Sequence, residues 1–431
     1  MQAVIMAGGK GTRIQTIASD IPKPMISILN KPILEFQIEN LKKSGITEIT
    51  LVIGYLGYVI KNYFGDGSKW NVTITYVQED EPLGTAGALF YLKGKITDDF
   101  ILVFGDLLVD LDWNRFMKFH KAKGAIITLL GHPNTHPYDS DVIVVDEDAK
   151  VLCIDYKNKN RDTYYHNFVN AGVYCINKKL LDTIKFPEKL DLEKNVISEL
   201  IPLGNVYADR TTEYVKDMGT PDRMASVVQD IKNGIVTRRN LRNKQKCIFL
   251  DRDGTLNVHK GFLKSAEQFE LLPNVHDAIK KINSSGYLVI VVTNQPVIAR
   301  GECSFEELSR IHMKMETELG KHGTYIDDIF FCPHYPQKGY EGEIPELKVD
   351  CDCRKPKIGM LTKAADKYNI DLSASWFVGD TTMDIQTGIN AGMHTVLIHT
   401  GEAGQDGKYS VSPEFESTDL LEAIRRILST N

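Results

Sequence analysis

Short apolar runs that end in glycine-rich or acidic residues recur in both halves of this chain. Ile49 to Ile53, Phe100 to Phe104, Cys247 to Leu250 and Tyr287 to Val292 have the length and composition of buried strands, and helical patterns lie between such runs. This alternation predicts α/β folds with largely parallel sheets. Ligands of such sheets bind beyond the carboxyl ends of the strands, so the residues that follow each run are the first candidates for function.

A basic and polar stretch divides the chain. Residues 233–246 contain few large apolar side chains, and a new strand-like run begins at Cys247. We therefore predict a first domain at 1–232, a linker at 233–246 and a second domain at 247–431. A chain of 431 residues is also too long for one core of ordinary size. The two halves carry different motifs, which indicates a fusion of two α/β domains.

Composition excludes several classes of protein. The formal net charge of -6 argues against a nucleic-acid surface. No apolar run approaches the roughly 20 residues that span a bilayer, and the N-terminus lacks a basic region followed by a cleavage site. We expect a cytoplasmic protein with no nucleic-acid partner and no membrane contact. A homo-oligomer is compatible with all of this.

The first apolar run leads into a glycine-rich loop. Glycines let backbone N–H groups approach a polyphosphate closely, and an arginine adds a cationic fork. The loop residues are Gly8, Gly9, Gly11, Thr12 and Arg13. A second cation, Lys23, follows between two prolines that stiffen its backbone. The glycines alone would also fit an ordinary strand-to-helix turn.

Two carboxylates and a second loop extend this pattern. Asp106 follows an apolar run, and Asp217 lies much further along the chain. If the two meet in space, they could hold a magnesium ion against phosphate oxygens. Gln78 precedes a loop of small residues that begins near Gly84.

These motifs resemble those of the sugar-1-phosphate nucleotidyltransferase family. The family signature Gly-Gly-x-Gly-Thr-Arg and the following Pro-Lys-Pro are both intact, and the resemblance covers residues 1 to about 232. It implies a Rossmann-like core in which a sugar 1-phosphate oxygen attacks the α-phosphorus of a nucleoside triphosphate and pyrophosphate leaves. Arg13 and Lys23 would stabilise the triphosphate, and Asp106 and Asp217 would bind Mg²⁺.

The resemblance also implies how the substrates are bound. Gln78 and Gly84 would face the nucleotide base. Lys157, Gly172 and Glu193 would bind the sugar phosphate. The motif around Lys157 departs from the family, because Tyr156 stands where a glutamate is common.

The second half has acids, cations and a hydroxyl at the ends of its apolar runs. Two acids separated by one residue indicate a shared site, although a solvated acidic turn has the same pattern. A hydroxyl, a pair of cations and a third acid follow in order along the chain. The residues are Asp251, Asp253, Thr293, Arg354, Lys355 and Asp380.

This order resembles the haloacid dehalogenase superfamily over roughly 247–400. The resemblance implies that Asp251 is a nucleophile that forms an aspartyl-phosphate, and that Asp253 is the general acid and base. Asp380, together with Asp251 and the carbonyl of Asp253, would bind Mg²⁺. Thr293 and Lys355 would hold the phosphoryl oxygens. Asp384 would support the loop and leave the metal to the others.

A Cys-x-His and a Cys-x-Cys pair predict a zinc site. Three thiolates and one imidazole, from Cys332, His334, Cys351 and Cys353, suit tetrahedral Zn²⁺. Unrelated buried cysteines are the simpler alternative. With four protein ligands the ion would be structural, and it would brace the neighbouring Arg354.

The zinc loop resembles that of heptose bisphosphate phosphatases and of the related histidinol phosphatases. Asn257 and Ile298 to Gly301 favour the heptose group and imply that Asn257 and Arg354 contact the sugar phosphate. Pro296-Val297 and the long loop from Lys338 to Val349 depart from that group.

Together the two resemblances predict a bifunctional enzyme of nucleotide-activated heptose synthesis. It would remove the 7-phosphate of a heptose 1,7-bisphosphate and transfer a nucleotidyl group, with GTP as first choice, to the remaining 1-phosphate. CTP or another nucleotide, another sugar, a histidinol-phosphatase-like second half, and one catalytically inactive half are the alternatives.

Overall fold

The computed structural model describes residues 1–9, 21–157, 161 and 163–430 and consists of two compact units. The first unit contains Met1–His132, Ile143–Tyr156 and Val169–Asn240. The second contains Pro133–Val142, Lys157–Phe168 and Leu241–Asn431. The predicted phosphate-loop residues Gly11, Thr12 and Arg13 lie outside the described residues.

The first unit is built on a nine-stranded mixed sheet, accompanied by two small two-stranded sheets. Its strands are β1 (Gln2–Met6), β2 (Ser27–Ile28), β3 (Lys31–Pro32), β4 (Glu48–Ile53), β5 (Thr73–Gln78), β6 (Phe100–Phe104), β7 (Leu107–Asp110), β8 (Ile127–His132), β9 (Val142–Val145), β10 (Val151–Asp155), β11 (Val169–Ile176), β12 (Val206–Arg210) and β13 (Tyr214–Asp217). Its helices are α1 (Ile33–Lys43), α2 (Gly57–Phe64), α3 (Trp113–Lys123), α4 (Ser198–Leu200), α5 (Pro221–Lys232) and α6 (Ile235–Arg238).

The centre of the large sheet is parallel and largely buried. Strands β6, β1, β4 and β5 lie side by side in parallel register, and β11 joins β6 antiparallel. Continuous apolar sequence, such as Ala3 to Ile5 in β1, suits strands that are covered on both faces. The carboxyl ends of β1, β5 and β6 therefore meet at one edge, where the predicted nucleotide loops begin.

Part of the predicted linker belongs to the first unit. Ile235 and Val236 in α6 are buried in a cluster with Met218, and Asn240 donates a hydrogen bond to the buried carboxylate of Asp110 at 2.7 Å. The compact units divide between Asn240 and Leu241, whereas the sequence suggested a linker at 233–246. Most residues around Ile235 and Val236 are basic or polar, so the burial of α6 was not apparent from the composition of the stretch.

The second unit contains a six-stranded parallel sheet in the order β16-β15-β14-β17-β18-β19. Its strands are β14 (Cys247–Leu250), β15 (Leu288–Asn294), β16 (Asp328–Cys332), β17 (Trp376–Gly379), β18 (His394–Ile398) and β19 (Phe415–Ser417). Its helices are α7 (Val275–Asn283), α8 (Pro296–Ala299), α9 (Phe305–Lys321), α10 (Gly359–Tyr368), α11 (Thr382–Asn390) and α12 (Leu420–Ser429).

Two segments from the N-terminal half of the sequence pack with this second unit. The backbone N–H of Tyr165 donates to Thr317 Oγ1 at 3.0 Å, and His166 Nδ1 lies 2.6 Å from Glu316 Oε2. Both partners lie on α9. The predicted boundary at 232 did not anticipate this, because residues 133–142 and 157–168 carry no signal that separates them from their neighbours in sequence.

Among the helices in the described part of the chain, none is both long enough and apolar enough to cross a membrane.

The packing of residue 240 gives a first prediction. Asn240→Ala should lower the free energy of unfolding of the first unit by about 1–3 kcal/mol, because it removes a buried hydrogen bond to Asp110. Chemical denaturation would measure the loss. Asn205→Ala, at an exposed asparagine, is the control and should change stability by less than about 0.5 kcal/mol. Equal stability of both variants would mean that residue 240 is a passive linker residue.

Candidate active sites

Three predicted residues of the second half meet where adjacent parallel strands end. Asp251 follows β14 directly, Thr293 lies near the end of β15, and Asp380 follows β17. Because β14 lies between β15 and β17, their carboxyl ends bring these three side chains to one edge of the sheet.

Lys355 enters this site from a loop and pairs with two acids. Its Nζ lies 2.9 Å from Asp251 Oδ1 and 2.6 Å from Asp384 Oδ1, and its side chain is only 3% exposed. Burial alone would lower the pKa of Lys355, but the two carboxylates raise it overall. The lysine therefore stays charged and can hold an anionic group against Asp251.

Asp251, Asp380 and Asp384 form a buried cluster whose carboxylate oxygens lie within 4.8 Å of one another. Burial and the charge of Asp384 raise the pKa of Asp251 to about 7 and that of Asp380 to about 8. Asp380 Oδ1 is buried and finds no hydrogen-bond donor within the described residues. Because Gly254 has no side chain, the Asp380 carboxylate can lie directly against its backbone. These features fit a divalent cation bound by oxygen ligands.

Asp384 has both carboxylate oxygens engaged by protein donors. Oδ1 accepts from Lys355, while Oδ2 accepts from the hydroxyl of Thr381 at 2.5 Å and from its backbone N–H at 3.1 Å. This capping box begins α11. The contacts support the predicted role of Asp384 in holding the loop.

The carboxylate of Asp253 accepts hydrogen bonds from several side chains. Arg252 Nη2 contacts its Oδ1 at 2.9 Å and its Oδ2 at 2.7 Å, and Gln295 Nε2 donates to Oδ2 at 3.0 Å. Asn257, predicted to contact the sugar phosphate, is fully buried and donates to Asp253 Oδ1 at 3.1 Å. Although burial opposes it, these donors, Arg252 foremost, lower the pKa of Asp253. Sequence reasoning missed Arg252 and Gln295, because neither residue alone signals a partner.

The predicted zinc ligands converge. Sγ of Cys332 lies 3.5 Å from Sγ of Cys351, and Sγ of Cys353 lies 3.2 Å from each of these sulfurs. His334 Nδ1 is 3.3 Å from the Cys353 sulfur. Tetrahedral Zn²⁺ with Zn–S bonds of about 2.3 Å separates its sulfurs by about 3.8 Å, so a small relaxation admits the ion. All three cysteines are free thiols.

The long loop between His334 and Cys351, which separates the two pairs of predicted zinc ligands, packs cations against aromatic rings. Arg300 and Lys348 lie 4.4 and 4.7 Å from the ring centre of Tyr340. Lys348 and Arg354 lie 5.2 and 4.9 Å from that of Tyr335. The loop residues therefore fix Arg354, whose Nη1 also donates to the carbonyl of His334 at 3.2 Å.

In the first unit, the predicted metal ligands lie beside cations. Asp217 pairs with Leu107 across β13 and β7, which places it next to Asp106. Lys23 Nζ lies 2.5 Å from Asp106 Oδ2, and Arg223 Nη1 lies 2.6 Å from both oxygens of Asp217. Although burial opposes it, Arg223 lowers the pKa of Asp217, so this carboxylate is ionised and suits Mg²⁺.

The two predicted nucleotide-binding loops both contact a residue that the sequence analysis missed. Gln78 is exposed, whereas Glu79 is buried, packs against Gly8 and accepts the backbone N–H of Leu83 at 3.1 Å. Burial raises the pKa of Glu79. Gly84 has φ +76° and lies so close to the Leu190 carbonyl that a Cβ would clash. Glu79 thus ties the first loop to the second.

The predicted sugar-binding residues of this unit cluster. Glu193 accepts hydrogen bonds from the hydroxyl of Tyr174 and from Asn170 Nδ2. Burial raises the pKa of Glu193 even though the Tyr174 hydrogen bond opposes it. Gly172 lies in the bulge of β11 between Asn170 and Tyr174 and packs against Phe104.

In this structure, the side chain of Lys157 forms an ion pair with Asp139. Its Nζ lies 2.5 Å from Asp139 Oδ1, and both side chains are about half exposed. Its backbone N–H donates to Asp141 at 2.7 Å. The role of Lys157 in holding the sugar phosphate stays a prediction.

Comparison with known proteins assigns the first half. A model of the nucleotidyl transferase family matches residues 2–234, more than half of the chain. The chain belongs to the nucleotidyl transferase family. A second family model, HAD-hydrolase-like, matches residues 352–423.

Curated relatives match the second half. The D-glycero-beta-D-manno-heptose-1,7-bisphosphate 7-phosphatase of Escherichia coli K12 is 37% identical over 190 residues, which are 42% of this chain and 94% of the relative. The enzyme of that name from Pasteurella multocida is 39% identical over 189 residues, 43% of this chain and all of the relative. This nucleotidyl transferase is therefore also a haloacid dehalogenase-type phosphatase, and the enzyme is bifunctional.

Solved structures match each half. HddC from Yersinia pseudotuberculosis is 26% identical and covers 53% of this chain and 99% of HddC, with a TM-score of 0.46. The D,D-heptose 1,7-bisphosphate phosphatase of B. bronchiseptica, complexed with magnesium and phosphate, is 33% identical and covers 43% of this chain and 100% of that protein, with a TM-score of 0.39.

The two sites should be separable by mutation. Asp251→Asn should abolish phosphate release and leave nucleotidyl transfer to a supplied sugar 1-phosphate intact, because it removes only the phosphatase nucleophile. Lys23→Ala should do the reverse and lower transfer by roughly 10²–10³-fold, because it removes a charge that acts on the transition state. Parallel assays of phosphate and pyrophosphate release would measure both. Joint loss of the two activities in either variant would contradict two independent sites.

The cysteine cluster gives a metal-content prediction. The purified enzyme should contain about one zinc per chain by elemental analysis, and Cys351→Ser should lose it together with the stability of the second unit, because structural zinc contributes directly to folding. Cys303→Ser changes a buried cysteine outside the cluster and should keep the zinc. A folded, active and zinc-free wild-type preparation would remove the site.

Proposed function

We propose that this enzyme carries out two consecutive steps of nucleotide-activated heptose synthesis. The phosphatase unit would hydrolyse D-glycero-D-manno-heptose 1,7-bisphosphate at C7. The transferase unit would then couple the remaining 1-phosphate to a nucleotide, with GTP as donor. The observation that carries the proposal is the pairing itself, since the relatives of one half are 7-phosphatases and the other half needs an anomeric phosphate as its nucleophile.

The phosphatase step uses the acids at the end of β14. Asp251 attacks the phosphorus, the bond from phosphorus to the sugar oxygen breaks, and that oxygen takes a proton from Asp253. Water then gives a proton to Asp253 while its oxygen attacks the phosphoryl group on Asp251. Inorganic phosphate leaves and both carboxyl groups are restored. Lys355, 2.9 Å from Asp251, would hold the phosphoryl oxygens together with Thr293.

Asp251 and Asp380 would hold Mg²⁺, with the backbone carbonyl of Asp253. When bound, the ion supplies positive charge that lets one anion approach another. Oδ1 of Asp380, which meets no hydrogen-bond donor in the described part of the chain, supports this assignment. The raised pKa values of both acids support it as well, because a cation favours their ionised forms. Zn²⁺ at the cysteine cluster would have no open position and would serve structure alone.

Selection of the 7-phosphate depends on how the rest of the sugar docks. The second phosphate of a bisphosphate needs a cation away from Asp251. Arg354 supports this choice, because it follows the zinc ligand Cys353, precedes Lys355 and is stacked on Tyr335 at 4.9 Å. A guanidinium fixed in this way would still have N–H donors for a phosphate besides the one that bonds the carbonyl of His334.

The transferase step needs no protein nucleophile. An oxygen of the sugar 1-phosphate attacks the α-phosphorus, and the bond to the departing pyrophosphate breaks. Lys23, with Arg13, would stabilise the charge that builds on the leaving group, and Asp106 and Asp217 would hold Mg²⁺. The proximity of Lys23 to Asp106 supports a single site for these residues. The choice of GTP rests on the resemblance of the sequence motifs to guanylyltransferases.

Phosphorus NMR of the phosphatase product tests the proposal. The product of heptose 1,7-bisphosphate should keep its 1-phosphate signal and lose its 7-phosphate signal, because loss of the 1-phosphate would leave the transferase without a nucleophile. Asp251→Asn should leave both signals. Addition of GTP, CTP, ATP or UTP to the product should release pyrophosphate fastest with GTP. A product that keeps only the 7-phosphate, or faster hydrolysis of histidinol phosphate, would overturn the assignment of the sugar.

A further inference from the structure

A buried arginine lies between the two catalytic acids of the phosphatase. The side chain of Arg252 is completely inaccessible to solvent. Its backbone N–H donates to Asp251 Oδ1 at 2.7 Å, while its guanidinium contacts Asp253. A buried guanidinium is costly unless it is paired, so the contacts that it makes define its role.

The guanidinium of Arg252 clamps Asp253. Nη2 reaches Oδ1 at 2.9 Å and Oδ2 at 2.7 Å, and Nε lies 3.3 Å from Oδ1. Three hydrogen bonds from one rigid group restrict rotation of a short carboxylate side chain. Asn257 and Gln295 add one donor each.

A histidine from α9 completes the arrangement. His312 Nε2 lies 3.2 Å from Arg252 Nη1, and the imidazole packs at 5.7 Å on the ring of Phe331. Arginine can only donate hydrogen bonds, so Nε2 accepts and the proton of the imidazole resides on Nδ1. Burial, and then the charge of Arg252, lower the pKa of His312 far below its ordinary value, which keeps the imidazole neutral and able to accept.

We propose that Arg252, oriented by His312, is the positioning residue that holds Asp253 for both of its proton transfers. Asp253 must give a proton to the leaving oxygen and later take one from water, at the same phosphorus. The bonds from Arg252 favour the ionised carboxylate that accepts the proton of water, and the negative charge of a bound phosphate ester favours the protonated acid. A carboxylate that rotates freely would meet these two demands poorly, because proton transfer needs heavy atoms within hydrogen-bond reach. Neither Arg252 nor His312 contacts the substrate in this proposal. It rests on the phosphatase activity and not on the identity of the sugar.

The choice of leaving group separates positioning from a purely structural role. 4-Nitrophenolate leaves without a proton, whereas the phenolate of phenyl phosphate departs more readily with one. If Asp253 is misplaced, the first step stays fast for 4-nitrophenyl phosphate and becomes slow for phenyl phosphate. The second step, which needs Asp253 as a base, becomes slow for both.

Arg252→Lys keeps the positive charge and removes the planar guanidinium that makes three hydrogen bonds to Asp253. We expect kcat for phenyl phosphate to fall by about 10²-fold or more. Rapid mixing with 4-nitrophenyl phosphate should show a burst of about one nitrophenolate per chain, followed by slow turnover. Asp253→Asn should give the same burst. Equal losses for the two esters without a burst, in protein that retains its zinc and its nucleotidyl transfer activity, would overturn the proposal.

Substitutions of His312 provide a second, milder test. His312→Gln keeps an acceptor for Arg252 and should retain activity within about threefold, while His312→Leu removes the acceptor and should lower phenyl phosphate turnover on the order of 10-fold. Met315→Leu, a buried change on the same helix, controls for disturbed packing. Equal activity of the Gln and Leu variants would show that the histidine only fills space, and would remove it from the proposal.

Discussion

The phosphatase site is organised by the cost of burying like charges together. Asp251, Asp380 and Asp384 lie within 4.8 Å of one another in the interior, and Lys355 is the cation that contacts two of them. Carboxylates this close cannot all be ionised without compensation, so protons, a lysine or a metal must share the site. The strand order enforces the arrangement, because it places β14 beside β17.

The burial of these acids also explains why the loop between β16 and α10 must be held in place. Lys355 must come into the interior from a segment without regular structure, and such a segment needs external support. The predicted zinc ligands end two residues before it at Cys353, and Lys348 stacks on Tyr335 within the same loop. A zinc ion at the cysteine cluster would therefore act on catalysis through the placement of Lys355.

Much of the two candidate sites could be predicted from sequence, because a motif at the end of a strand is placed in space by the sheet to which that strand belongs. Asp251, Thr293 and Asp380 meet because parallel strands end at one edge, and the four zinc ligands are close in sequence as pairs. Asn257 could not be placed in this way. Its amide contacts Asp253 and not open space, which depends on the local turn of the chain.

Contacts between residues that are far apart along the chain could also not be predicted from the sequence. His312 meets Arg252 across 60 positions, and Glu79 reaches Gly8 only because β1, β4 and β5 lie together in the sheet. The packing of α6 and of residues 163–168 could likewise not be predicted, because short segments of mixed polarity resemble exposed loops.

The carboxylates of the two sites are neutralised in different ways. This difference affects how each site would bind a metal ion. In the transferase unit, Asp106 and Asp217 are each matched by a cation, Lys23 and Arg223, so their charges are balanced before a substrate arrives. A magnesium ion that enters with nucleotide phosphates would bring its own counter-charge and would release those cations to contact the phosphates. In the phosphatase unit, Asp380 Oδ1 finds no donor among the described residues, and its pKa is raised to about 8. A cation there would relieve repulsion within the protein itself, so binding of metal would stabilise that unit even without substrate.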